Sequence, residues 1–126
     1  MAAPIVAALI GVADRVPDVL VSRHPELASL RVRRGGLPAR IGGWALGQRS
    51  VVAITLWRTV FLGVDVEPNA ELLLHEARHV QQFLDDPAFP IRYLWESVRH
   101  GYYDNRFELD ARDYARERLR ASSDAL

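Results

Sequence analysis

The sequence predicts an α+β fold in the order helix, small antiparallel sheet, helices. Three observations carry that expectation. An apolar repeat at helical spacing opens the chain, a run dense in β-branched and aromatic residues fills 50–62, and a stretch with a helix-start signal follows at 67–71. With 126 residues, 49% of them apolar, there is room for one core, so a single domain over 1–126 is expected. It divides into an N-terminal helical segment (1–29), a sheet (30–64), helices bearing the chemistry (65–120) and a frayed tail (121–126).

The elements follow in order. Ile5, Leu9, Val12 and Val16 recur at helical spacing and Pro4 suits a first turn, which predicts a packed N-terminal helix. Arg23 to Glu26 contains a Pro and reads as a turn beside His24. Leu30 to Arg34 is a short strand ended by Gly35, Gly36 and Pro38. The glycine-rich stretch from Ile41 to Gly47 gives an irregular strand or turn. Ser50 to Leu62 favours one long strand or two short ones. Pro68 is expected at the first position of the next helix, with Glu67 and Glu71 complementing its dipole and Leu73, Ala77, Val80 and Leu84 forming its apolar stripe. Asp85-Asp86-Pro87 stops it. A third helix has Ile91, Leu94, Trp95 and Val98 as its expected buried face and Gly101 just past its end. The last runs from about Asn105 to Arg120. Trp44, Trp57 and Trp95 are read as core.

Charge and composition exclude several classes. Sixteen basic residues, all Arg, balance sixteen acidic ones, so no overall field recruits nucleic acid. The absence of Lys reads as codon bias. Cysteine is absent, which excludes disulfides and thiolate metal sites. Ala2 to Ala13 is apolar but lacks a basic leader and falls short of the ~20 residues that span a bilayer. A soluble cytoplasmic protein without an integral membrane span is therefore expected.

Inside the second long helix lies His75-Glu76-Ala77-Arg78-His79, an H-E-x-x-H word. Positions i and i+4 leave one helix face about 6 Å apart along the axis, so both imidazoles can reach one ion. Glu76 then stands beside them, placed to take a proton from a water that the ion activates. The word arises in roughly one shuffled chain of this composition in a hundred, so context must support it. A catalytic zinc site usually has three protein ligands and an open position. No Gly and third His follow within the next residues, Val80 to Asp85. The candidates left for a third ligand are a downstream acid or His100, and Glu108, near the start of the last helix, is the best placed.

The stretch Leu72 to Gln82 resembles the H-E-x-x-H-V-x-Q helix of bacterial metallopeptidase domains of the zincin-like superfamily. Gly101-Tyr102-Tyr103-Asp104-Asn105-Arg106-Phe107-Glu108 with Ala111 resembles the G-Y-x-x-N-x-x-E-x-x-A completion of minimal gluzincins. Gly47 and the strand from Val51 to Leu62 are similar to the strand beside the cleft in that group. The likeness covers about Gly42 to Ala115. It implies that His75, His79 and Glu108 bind Zn²⁺, that Glu76 is the general base, and that the substrate is a peptide or protein. One position departs: where gluzincins often carry an Asp four residues after the ligand Glu, this chain has Arg112, leaving Asp110 or Asp113 to orient a ligand His.

Each assignment has a plainer competitor. His75 and His79 suit an amphipathic helix as partly buried histidines, and Glu76 a solvated one. Asn105-x-x-Glu108 fits a capping box. His100 suits a helix C-terminus, against a catalytic or ligand role. Tyr102 and Tyr103 offer a phenol to a developing oxyanion, or simple packing around Gly101. Two further functional classes follow from the same residues: a non-catalytic zinc-binding interaction module, and a metal-dependent hydrolase of a non-peptide amide or ester. Imidazole and carboxylate also accept divalent ions other than zinc.

Overall fold

The computed structural model of the chain describes residues 3–36, 38 and 53–124. The expected glycine-rich turn at 41–47 with Trp44, and residues 50–52 of the expected strand, lie outside the described residues.

Helix α1 (Ala3–Ile10) is shorter than the N-terminal repeat suggested. It stops at Gly11, whose φ of 70° lies in the left-handed region, and the chain turns into strand β1 (Val12–Asp14). A Cβ on Gly11 would collide with the Arg34 carbonyl, so only glycine allows this approach. The spacing from Ile5 to Val16 therefore spans a helix, a strand and a loop. Ile5, Leu9 and Val12 are exposed and only Val16 reaches the core, so this helix is not packed as expected. Helix α2 (Asp18–Arg23) and a 3-10 turn (Pro25–Ser29) lead into strand β2 (Arg31–Arg34).

The long β-rich run resolves into two short strands, β3 (Ala53–Leu56) and β4 (Thr59–Leu62), closed by Trp57 and Arg58. The four strands form one sheet in the order β1-β2-β4-β3. This sheet is mixed rather than antiparallel. β2 and β4 run parallel, pairing Arg31 with Thr59 through Arg34 with Leu62, while the outer pairs are antiparallel. A parallel pair needs a crossover of a dozen or more residues, and the chain between β2 and β4 is long enough to supply one. Among the described residues β3 is an edge strand.

Helix α3 (Ala70–Asp85) carries the H-E-x-x-H word. Pro68 precedes its cap instead of opening it. Asn69 is the N-cap, its side-chain oxygen accepting the Leu72 N–H at 2.8 Å, a bond of roughly 1 kcal/mol. Leu73, Leu74 and Ala77 pack onto Val32, Val60 and Leu62 of the sheet, with Val16, Leu27 and Ala115 completing the core. Each such Leu contributes roughly 1.5–3 kcal/mol by leaving water. Leu84, at the end of the expected stripe, is exposed.

Helix α4 (Phe89–His100) reverses its expected orientation. Ile91, Leu94, Trp95 and Val98 are 73%, 64%, 60% and 80% exposed. The inward side is Phe89, Tyr93 and Ser97: the Phe89 ring meets Phe83 at 4.6 Å and Phe107 at 4.9 Å, and Tyr93 and Ser97 take hydrogen bonds from Asn105. Aromatic packing and polar satisfaction together outweighed the aliphatic stripe. Helix α5 (Arg106–Asp124) continues through most of the tail expected to fray. Trp57, like Trp95, is exposed rather than core.

Candidate metal centre

The site is assembled by α3, the start of α5 and the inner face of α4. His75 and His79 lie one turn apart on α3, rings edge-on with centroids 4.9 Å apart. The first turn of α5 delivers Glu108 between them. Its Oε1 is 2.9 Å from Nε2 of His75 and 2.8 Å from Nε2 of His79, and the two Nε2 atoms are 3.2 Å apart.

Asn105 explains why Glu108 is free to point there. In a capping box the carboxylate would bond back to the Asn105 amide, but that amide donates to the Tyr102 carbonyl at 3.3 Å. The Asn105 side chain still caps, its oxygen accepting from the Phe107 N–H at 2.9 Å. Its amide nitrogen donates to the Tyr93 carbonyl at 3.0 Å and the Ser97 hydroxyl at 2.9 Å, tying α5 to α4. Tyr93 then donates its hydroxyl to the second Glu108 oxygen at 2.8 Å.

A second chain of bonds fixes His79. Its Nδ1 donates to Oε1 of Gln82 at 2.7 Å, while the Gln82 amide nitrogen donates to Asp110 at 2.9 Å and to the Phe107 carbonyl at 3.1 Å. Asp110 in turn accepts from Arg78 at 2.8 Å. Of the two aspartates expected to orient a histidine, Asp110 does so through Gln82. Asp113 is exposed and takes no part, and Arg112 instead donates to the Tyr103 carbonyl and lies 4.2 Å above the Tyr103 ring.

With Nδ1 as donor, the neutral His79 ring presents a lone pair at Nε2. That lone pair faces a carboxylate oxygen and the His75 nitrogen at hydrogen-bond distance, and acceptors so placed repel unless a positive centre lies among them. Two kinds of centre answer, a proton or a metal ion. Burial opposes a charge on His79, but the Glu108 hydrogen bond, the charges of Glu76 and Glu108 and the Gln82 contact outweigh it and raise its pKa to about 9. Burial likewise pushes Glu108 up, and the hydrogen bonds from His75, His79 and Tyr93 more than offset it, holding the carboxyl well below the usual range.

The same geometry fits a metal. A tetrahedral ion with ligands at about 2.0–2.1 Å separates its donors by roughly 3.3 Å, and edges of 2.8, 2.9 and 3.2 Å lie just inside that. Among the described residues His75, His79 and Glu108 are the group able to hold an ion in this way. The N,N,O donor set suits zinc and other divalent cations.

Glu76 is buried beside this triangle. Its Oε2 accepts the Thr55 hydroxyl of β3 at 2.6 Å, so the edge strand orients the carboxylate, while Oε1 has no hydrogen-bond partner among the described residues. Tyr102 lies close enough that burial and the charges of Glu108 and Glu76 push its phenol up, keeping it a proton donor at neutral pH. Tyr93 is shifted the same way by burial and Glu108. His100 does not join the group: it is exposed and stands 3.8 Å from Glu96.

Read from the sequence, Tyr93 and Thr55 had no supporting role, Gln82 no function, and Asn105 only a capping role. The signals were weak but present: a Tyr and a Ser four apart on α4, a Thr at 55 within an apolar β run, and a Gln three residues after His79, where a helix brings side chains together. Comparison with protein-family models, curated proteins and solved structures returned no match for this chain.

Proposed function

We propose that the chain is a zinc-dependent, metallopeptidase-like hydrolase with a minimal gluzincin-type arrangement. The observation that carries this reading is the convergence of three lone-pair donors, His75, His79 and Glu108, on one point, with the carboxylate of Glu76 held beside it by Thr55. A structural ion needs no such oriented carboxylate, which favours the catalytic reading over a non-catalytic zinc-binding module.

The chemistry a divalent ion supplies in such a cradle is Lewis-acid polarisation of a carbonyl and acidification of a water toward neutral pH. The chain does the rest. Glu76 accepts a proton from the attacking water as its oxygen bonds to the carbonyl carbon, and then passes that proton to the amine as the C–N bond breaks. Thr55 fixes one Glu76 oxygen and leaves the other for this transfer. Tyr93 and Gln82 hold Glu108 and His79 in position. Tyr102, whose phenol stays protonated, is the donor nearest in kind to what a developing oxyanion needs. A peptide substrate in extended form would add to the sheet along β3, the edge strand that carries Thr55.

The test is Glu76→Gln. The variant is expected to bind zinc with the stoichiometry of the parent and to lose peptide hydrolysis by at least ~10²-fold. Unchanged hydrolysis at full metal occupancy would remove Glu76 from this role.

A further inference from the structure

We propose that Trp57 forms a substrate subsite that takes an apolar side chain of an extended peptide lying along β3. This rests on the hydrolase reading above and names a class of substrate for it.

Trp57 is the first residue of the two-residue turn closing β3 and β4, since Leu56 pairs directly with Thr59. Its φ is 53°, and among the described residues it is the only non-glycine with positive φ. A two-residue hairpin turn with positive φ at that position favours glycine, because a Cβ there crowds the backbone. A large aromatic ring is among the least suited residues for it. Strain of this kind marks places where the side chain serves something other than the turn.

The ring is not used to fill the core. It is 64% exposed, and among the described residues the aromatic ring it meets is Phe83, at a centroid distance of 5.6 Å and a tilt of 35°. That contact fixes its direction. Thr55 lies in β3 and Trp57 in the turn that follows it, and both reach helix α3. Thr55 bonds Glu76, and Trp57 meets Phe83, one turn beyond His79 on the same helix. β3 and α3 therefore run side by side, with the indole along the edge strand from the residue that orients Glu76.

A peptide pairing with the β3 edge would present alternate side chains to this side. The one reaching Trp57 would meet an indole backed by Phe83, which in turn packs on Phe89 at 4.6 Å. That surface favours an aromatic or branched aliphatic group over a small or charged one.

The experiment compares the intact zinc-loaded chain with Trp57→Ala and Trp57→Phe. Calorimetry would give the affinities of three tripeptide hydroxamates that differ in one residue: Gly, Leu or Phe. The intact chain is expected to prefer the Leu and Phe probes over the Gly probe by about tenfold or more, the scale for apolar groups entering an apolar site. Trp57→Ala should reduce that ratio to within about twofold, and Trp57→Phe should keep most of it. Should Trp57→Ala fail to fold, Trp57→Gly, which suits the turn, carries the same comparison. A ratio unchanged in the Ala or Gly variant, with zinc still bound, overturns this inference alone. A chain that takes up no zinc overturns the hydrolase reading and this inference with it.

Discussion

Helices α3 and α4 lie next to each other in the chain, both are amphipathic, and they bury opposite kinds of face. On α3 the aliphatic stripe of Leu73, Leu74 and Ala77 turns to the sheet and the histidines sit at its border. On α4 the aliphatic stripe turns to solvent and the inner face carries Phe89, Tyr93 and Ser97. The difference teaches that a helix flanking a polar centre is placed by what it must hydrogen-bond. Asn105 and Glu108 are almost fully buried, and leaving either without partners would cost more than exposing apolar surface.

The strongest way to break this comparison is at Glu108, the group both helices serve. Glu108→Ala removes one of three donors and leaves the other two without their shared partner. Zinc stoichiometry in the purified variant, read by elemental analysis, is expected to fall from near one to below about one-tenth.

Next comes a matched pair of truncations. Leu73→Ala opens a cavity in the core and should cost about 2–5 kcal/mol in denaturant unfolding. Leu94→Ala, on the outward face of α4, should stay within about 0.5 kcal/mol. Equal losses would mean that the outer face of α4 is covered in solution.

The orienting bonds are a subtler matter. Gln82→Met deletes the acceptor for His79 Nδ1 and should weaken zinc binding by roughly 10–100-fold, as loss of such partners commonly does. Gln82→Glu should also weaken it, because the new charge would face Asp110 across a contact now 2.9 Å long. Combining it with Asp110→Asn should restore affinity. Failure of the double variant to recover would show that Asp110 acts through Arg78 alone.

Protons give two smaller effects. In the metal-free chain His79 has a folded pKa near 9 against an ordinary value of 6.5. Its contribution to stability is therefore full below about 6.5 and is lost as pH rises through about 9. The groups responsible are Glu76, Glu108 and Gln82. Zinc uptake at pH 7 should then release about one proton, measurable with a pH indicator. Asp110 is lowered, first by the Arg78 hydrogen bond, so its contribution is present above the ordinary carboxylate range and lost as pH falls through its lower folded value. The Asp110 side chain is 45% exposed, so solvent screens the pair and that loss should be under about 1 kcal/mol.

Much of the outline was legible in the sequence because it rests on local rules. The α+β order, the strand at Arg31–Arg34, the helix at Ala70–Asp85 and its stop at Asp86 all follow from turn residues, β-branching and capping over a few residues. His75, Glu76 and His79 could be read because a helix fixes the relation of i to i+4. What failed depended on longer range. The spacing from Ile5 to Val16 mimicked one helix because periodicity ignores the conformation of Gly11. The parallel pairing of β2 with β4 was hidden because strand spacing carries no information on partners.

By itself, then, the amino-acid sequence determined the segments that become β2 to β4 and α3 to α5, though not β1, and that two imidazoles and a carboxylate share one helical turn. Only the tertiary structure decided that Glu108 meets the imidazoles rather than capping its own helix, that α4 turns its aliphatic stripe outward, and that Gln82, backed by Asp110, holds His79. The reason is physical: local structure is fixed by backbone sterics and nearest neighbours, whereas which buried polar groups satisfy one another is settled only when distant segments are packed together.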